Sequence, residues 1–459
     1  MAKAKTKTAF VCSECGADYP KWQGQCAACG KWNTLSRVFV DYDSAPSVGF
    51  AGETSELLKL MAVSAEELSR IPTGVGELDR VLGGGLVPGS VILMGGDPGA
   101  GKSTLLLQVA TKLASKEGVL YVTGEESLQQ VALRAQRLNL PLDDLDVASE
   151  IRAESIKQMV DKAVPKILVI DSIQVMQLSE VGSAPGSVNQ VRETAAYFTR
   201  LAKQKGTIVI LVGHVTKEGG LAGPKILEHM IDTFIMLDNS SDGRYRILRG
   251  HKNRFGAVNE IGIFAMTDQG MREVPNPSAI FLQRGDFEAS GSVTTVTWEG
   301  TRSLLVEIQA LADDSSSNQP RRIEVGKDHQ RLSMQLAIMN RHCAISLSNQ
   351  DVFINVVGGV RIQETGSDLA LVLAVLSSLN NRPLPRDLVT FGEVGLTGEL
   401  RPVVNGQERL REASKHGFKK AIVPFANQPK DPVPGLSVYA VKHLSAPLKL
   451  LRLFEFTNA

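Results

Sequence analysis

The 459-residue chain has little of several things. Aromatic residues make up 5% of it, so a large core must be built from aliphatic side chains. Charge is nearly balanced, with a formal net of +1, which excludes a uniformly basic surface and leaves any nucleic-acid contact to local patches. The longest apolar run, around residues 369–379, is well short of the ~20 residues of a membrane span, so no membrane partner is expected. The basic start, Lys3, Lys5 and Lys7, meets Cys12 before any apolar stretch, which argues against a secretory signal. Cysteine is scarce as well. Four of the five lie within the first 29 residues, a placement that points to a metal site in a reducing, cytoplasmic compartment.

What is present centres on Gly96, Asp97, Pro98, Gly99, Ala100, Gly101, Lys102 and Ser103, followed by Thr104. This stretch fits the phosphate-binding pattern G-x4-G-K-[ST] at every fixed position. The apolar run 91–94 reads as a buried strand before it, and residues 104–110 read as the start of a helix after it. Glycines let successive backbone N–H groups turn towards the phosphates of a nucleotide. Lys102 supplies a point charge for them, and the Ser103 hydroxyl a ligand for Mg²⁺. A nucleoside triphosphate and Mg²⁺ are therefore the expected ligands.

Cys12, Cys15, Cys26 and Cys29 form two C-x2-C knuckles whose four thiolates close a structural, tetrahedral Zn²⁺ shell. Trp22 and Trp32 flank the second knuckle, where the core of a small module is the favoured place for them and stacking on a base or a partner the alternative. The pattern predicts a zinc module over 1–36, a linker over 37–56, an α/β ATPase domain over 57–275 and a second domain over 276–459. Strands predicted at 119–123, 166–172 and 207–214, with a helix over 188–205, alternate as in a parallel sheet covered by helices on both faces. Ligands in such folds sit at the carboxyl ends of the strands. Four candidates fall there. Asp171 fits a second Mg²⁺-anchoring position, and either Glu125 or Glu126 suits activation of the attacking water. His214 is either a γ-phosphate sensor or a strand-end polar residue. Further on, Lys252 and Arg254 lie two residues apart on an extended segment and so point the same way. They read either as a grip on a neighbouring subunit's γ-phosphate or as a basic turn.

The four-cysteine module, the phosphate loop and the run Lys252-Asn253-Arg254-Phe255-Gly256, in that order, resemble the bacterial RadA (Sms) family along essentially the whole chain. The resemblance implies a RecA-like core of the hexameric helicase group, in which the lysine and arginine of a K-x-R pair act on the neighbour's nucleotide. It also implies a homohexameric, ATP-dependent DNA helicase of recombination and DNA repair. Such a motor acts on single-stranded and branched DNA, drives branch migration, and has a RecA-type recombinase filament as partner. In RecA-like motors the loop after His214 contacts DNA, which makes Lys217 and Lys225 DNA-binding candidates. The C-terminal domain resembles the α+β proteolytic domain of Lon. Thr365-Gly366-Ser367 stands at its nucleophile segment, and Gln407 at the position of its basic lysine. A glutamine cannot deprotonate a serine, so a non-proteolytic scaffold is expected. Arg321, Arg322, Lys327, Arg331 and Arg341 near its start are either duplex-phosphate contacts or a solvated surface, and Cys343 is expected to be buried. The alternative function is an ATP-switched assembly or signalling protein acting on protein partners.

Overall fold

The computed structural model describes residues 7–12, 17–19, 21–40, 69–213, 226–240, 243–258, 260–278, 282, 289–315, 319–326, 329–359, 362 and 364–446. Cys15, His214, Lys217, Lys225 and Lys327 lie outside the described residues. The chain divides into two compact units, residues 1–239 with 244–274, and residues 240–243 with 275–459.

The N-terminal module is a three-stranded antiparallel sheet of β1 (Lys7–Cys12), β2 (Asp18–Tyr19) and β3 (Leu35–Val40), with β1 in the middle. Its core is Cys12, Cys26 and Leu35, packed by Phe10, Ala17 and Tyr19. Trp22 and Trp32 are not in it; they stand 57% and 69% exposed. The sheet's own residues and the cysteines fill the small interior, and the turn carrying both tryptophans lies outside it.

The ATPase domain opens with α1 (Gly76–Leu82), then β4 (Val91–Gly96), α2 (Lys102–Glu117), β5 (Val119–Thr123), α3 (Leu128–Arg137) and β6 (Asp146–Ser149). There follow α4 (Ala153–Ala163), β7 (Ile167–Asp171), α5 (Val188–Lys205), β8 (Ile208–Val212), α6 (Ile226–Met230) and β9 (Thr233–Asn239). Antiparallel strands β10 (Tyr245–Asn253), β11 (Ile261–Thr267) and β12 (Gly270–Glu273) complete one nine-stranded sheet. Its order is β12-β11-β10-β9-β4-β8-β7-β5-β6, with the strands from β9 to β6 parallel. Alternate side chains feed two cores. Ile92, Met94, Ile208 and Ile210 pack with α1 and α2, whereas Val91, Leu93, Val209 and Leu211 pack with α4 and α5. Period-two alternation in strands apolar on both faces produces this three-layer arrangement. The expected α/β class is the one observed.

The C-terminal unit holds a seven-stranded mixed sheet. Its strands are β13 (Ser292–Glu299), β14 (Arg302–Asp314), β15 (Arg322–Val325), β16 (Gln350–Val356), β17 (Leu388–Thr390), β20 (Lys420–Pro424) and β21 (Ser437–Val441), with β18 (Glu393–Val394) and β19 (Leu400–Arg401) pairing apart. Helices α7 (His329–Cys343), α8 (Asp368–Leu379) and α9 (Gly406–Lys415) accompany it. The first ten residues of α8 are buried all round, as its long apolar run Leu369–Leu376 requires, and the buried Asp368 is paired with Arg331. Between β17 and β18 the chain breaks from the extended run at Phe391 and Gly392. There the Gly392 N–H donates to Gly366 O (2.7 Å), and Gly392 O accepts from Leu369 N (3.1 Å), which ties the strand end to the turn before α8. Among the described residues no helix is long and apolar enough to cross a membrane.

One residue is held against its preference. Val164 ends α4 in the left-handed region (φ 48°) and is 76% exposed, so β-branching there adds strain with no compensating burial. Val164→Gly should raise the stability of the ATPase domain by about 1 kcal/mol, read as a higher urea midpoint. An unchanged or lower midpoint would contradict the strain.

Candidate nucleotide and metal sites

The phosphate loop leaves β4 at Gly96, whose φ of 147° and whose position against β9 both require glycine. A Cβ there would fall 2.3 Å from Leu237 O. At Gly101 (φ 101°) a Cβ would lie 2.8 Å from Met266 Cε, so the loop turns tightly into α2. No side chain caps α2, and its first turn carries no acidic residue. Its leading N–H groups, at Lys102, Ser103 and Thr104, are therefore available to an anion. Arg246 on β10, itself buried, donates from Nε to Ala100 O at 3.0 Å and braces the crest of the loop. The Lys102 ammonium donates to Gly96 O (2.6 Å) and Asp97 O (2.9 Å). Burial lowers its pKa, opposed by the charges of Asp171, Asp97 and Glu125.

Asp171 ends β7, and the Tyr121 hydroxyl donates to its Oδ2. Burial, then Asp171, drives the Tyr121 pKa well up, so Tyr121 remains a donor that fixes the carboxylate. The paired glutamates separate. Arg134 on α3 forms an ion pair with Glu126, whose backbone N–H is also held by Thr123 Oγ1 at 3.0 Å. Glu125 accepts from Ser172 Oγ, next to Asp171, and its charge acts on Lys102. Lys102, Asp171 and Glu125 thus share one site, and Glu126 turns to α3. Tyr121 and Ser172 are single polar residues on strands named for their apolar runs, and Arg134 and Arg246 lie on segments with no signal of their own.

Lys252 and Arg254 converge elsewhere. Lys252 donates to Glu228 O and to Ile231 O (2.8 Å), and Arg254 reaches His229 O and Asp232 Oδ1 (both 3.3 Å). Both cations therefore close the C-terminal end of α6, where carbonyl oxygens collect. The buried Asp232 also binds Lys203 (2.7 Å) and accepts from Val91 N (3.0 Å). Burial, then the charge of Arg254, lowers the Lys252 pKa. Asn253 faces the opposite way, donating to Leu82 O at 3.1 Å. Register separates this cluster from the chain's own phosphate loop. Lys252 pairs with Phe234 and so lies level with Leu93, whereas the loop begins at Gly96, level with Leu237. That is about 10 Å further along the strands.

In the N-terminal module the sulfurs of Cys12, Cys26 and Cys29 all lie within 4.8 Å of one another. The Cys12 and Cys29 sulfurs are 3.7 Å apart, against roughly 3.8 Å for an edge of a tetrahedron with Zn–S bonds of about 2.3 Å. The Tyr19 hydroxyl lies 3.4 Å from Cys26 Sγ and the Thr34 hydroxyl 3.1 Å from Cys12 Sγ, outer contacts that orient metal-bound thiolates. The residues fit zinc.

In the C-terminal unit Ser367 has no exposed surface, and its Oγ meets no partner. Arg409 fills the space beside it. Fully buried, it binds both oxygens of Glu364 (2.7 and 2.6 Å) and donates to Val296 O and Val404 O. Three of the five basic residues near the unit's start have internal partners: Arg321 on Asp351, Arg322 on Gln350 O and Leu347 O, and Arg331 on Asp368. Arg341 is exposed. Cys343, expected to be buried, is only half-buried, because it ends α7 rather than facing the sheet from its middle.

The family models that match are the AAA domain over 54–220, the ChlI subunit of Mg-chelatase over 322–427 and the rubredoxin metal-binding domain over 10–37. Whole-chain similarity is high. The chain is 60% identical to the DNA repair protein RadA of Salmonella typhimurium and 59% identical to that of Escherichia coli, in each case over 98% of this chain and 99% of the relative. This chain belongs to the RadA family. The Bacillus subtilis RadA, at 44% identity, also aligns over 97% of this chain and 99% of the relative. As a RadA family member, the chain carries its AAA domain between a metal-binding ribbon and a Lon-like unit. Denaturing release should yield one zinc per chain from the wild type and none from Cys26→Ala. Undiminished zinc in the variant would place the metal elsewhere.

Proposed function

We propose that this chain is an ATP-driven DNA motor of homologous recombination and DNA repair. It works as a cytoplasmic homohexamer on single-stranded and branched DNA, drives branch migration, and has a RecA-type recombinase filament as partner. The observation that carries the motor reading is the register of Lys252. Lys252 pairs with Phe234 at the amino end of β9, and Arg254 holds Asp232, which accepts from the first residue of β4, whereas the chain's own phosphate loop leaves the carboxyl end of β4, an arrangement suited to acting on a neighbour's nucleotide. Full-length identity to DNA repair proteins supports the biological setting.

In this reading the loop N–H groups and Lys102 hold the phosphates, and Ser103 with Asp171 anchors Mg²⁺, which when bound neutralises phosphate charge. Glu125 takes the proton of the attacking water, because Glu126 is held by Arg134. Lys252 and Arg254 of one subunit stabilise charge developing on the neighbour's phosphate. His214 is assigned to γ-phosphate sensing, and Lys217 and Lys225 to DNA. The Lon-like unit is a scaffold: Gln407 gives Ser367 no base, and a peptide carbonyl cannot reach a buried hydroxyl.

ATP hydrolysis should rise with single-stranded DNA in a ring-sized assembly. Turnover indifferent to DNA would sink the motor and favour a protein-directed switch. Lys102→Ala should abolish turnover. Glu125→Gln should lower it by about 100-fold or more with nucleotide binding retained, and Glu126→Gln by less than about tenfold. Lys252→Ala should bind nucleotide yet lose DNA movement. Mixing Lys102→Ala chains with Lys252→Ala chains should restore DNA-stimulated turnover, since each supplies what the other lacks; a mixture as inactive as its components would place Lys252 in its own subunit's site.

A further inference from the structure

The zinc module carries a feature that the motor reading leaves unused. Trp22 and Trp32 are 57% and 69% exposed, while the module's core forms without either. Both rings flank Gly24: a Cβ at that position would lie 3.5 Å from Trp32 Cζ3 and 4.0 Å from Trp22 Cη2. Two large aromatic rings are therefore displayed on either side of Gly24, a residue with no side chain to cover them. Exposed tryptophan pairs are costly in water and mark contact surfaces. The charge around them selects the occupant. Lys21 precedes Trp22 and Lys31 precedes Trp32, all four residues being exposed. The first 40 residues hold six basic side chains against two acidic ones, in a chain whose net charge is +1. Cations beside exposed rings are the combination that holds single-stranded nucleic acid, the lysines on phosphates and the rings on unpaired bases.

We propose that the zinc module binds single-stranded nucleic acid by stacking bases on Trp22 and Trp32, at a site separate from the ATPase ring's own DNA contacts. A duplex, whose bases already stack on one another, is not a ligand for it. The reading does not rest on the motor proposal, because it requires neither nucleotide nor hydrolysis.

The test uses the full, zinc-loaded chain without nucleotide, and fluorescein-labelled oligo(dT) read by anisotropy. Trp22→Leu with Trp32→Leu should weaken binding by about tenfold or more, since each stacked base contributes on the order of a fivefold factor or greater. Zinc content and DNA-free ATP turnover should be unchanged. Trp22→Phe with Trp32→Phe should keep most of the affinity, because an aromatic face remains. Oligo(dT) should also quench tryptophan emission in the wild type, whereas a blunt duplex should not. An oligo(U) arm tells a DNA surface from an RNA one, and loss of either ligand in the leucine variant supports the stacking site. Equal affinity of the leucine variant and the wild type for both oligomers would overturn it and leave the tryptophans to a protein partner. Loss of DNA-stimulated turnover in Lys252→Ala with the tryptophan site intact would separate the two proposals.

Discussion

Gly96 has no room for a side chain, and much of the ATPase domain follows from that. The parallel pairing of β4 with β9 brings Leu237 O to within 2.3 Å of where a Cβ would stand, so only glycine lets the two strands meet at that point. The chain then turns out of the sheet at one level and presents α2 with its N–H groups uncapped. The same pairing fixes β9, and through it β10, so one register sets the phosphate loop about 10 Å along the strands from Lys252. Catalytic geometry across a subunit boundary would thus be set inside each subunit, by which residues of two neighbouring strands stand level.

How much of this was legible beforehand depended on how local the chemistry is. The phosphate loop and the cysteine knuckles need fixed spacings within a few residues, and the spacing alone predicts both. Strands 91–96 and 208–212 were equally plain, because burial on both faces demands continuous apolar runs. Separating Glu125 from Glu126 needed Arg134, which belongs to the next helix, and Ser172, which is 47 residues away. Neither partner has a sequence signature. The bracing of the loop by Arg246 was hidden for the same reason: its partner lies 146 residues away. The tryptophans show the opposite failure. A general rule about small modules placed them inside, whereas the cysteines and three strands filled the interior without them.

The C-terminal unit keeps a buried ion pair at the turn before α8. The turn at Thr365-Gly366-Ser367 and the start of α8 sit where a hydrolytic centre would be built. Beside Gly366 of that turn lies a buried arginine, Arg409, with its own carboxylate and two backbone carbonyls. Removing Glu364 would strand that charge in the interior, a change that typically destabilises by about 3–5 kcal/mol. The ion pair has therefore become a structural tie between β13, the turn before α8 and α9.

The Lys252-Asn253-Arg254 run has a further consequence for how variants would be read genetically. Alternate residues look in opposite directions: the two cations face the end of α6, and Asn253 faces the end of α1. A lesion at Asn253 would release β10 from α1 and misdirect both cations at once. Its phenotype would copy that of a variant at Lys252 or Arg254, and a suppressor could arise in α1, on the far side of the strand from the defect it repairs.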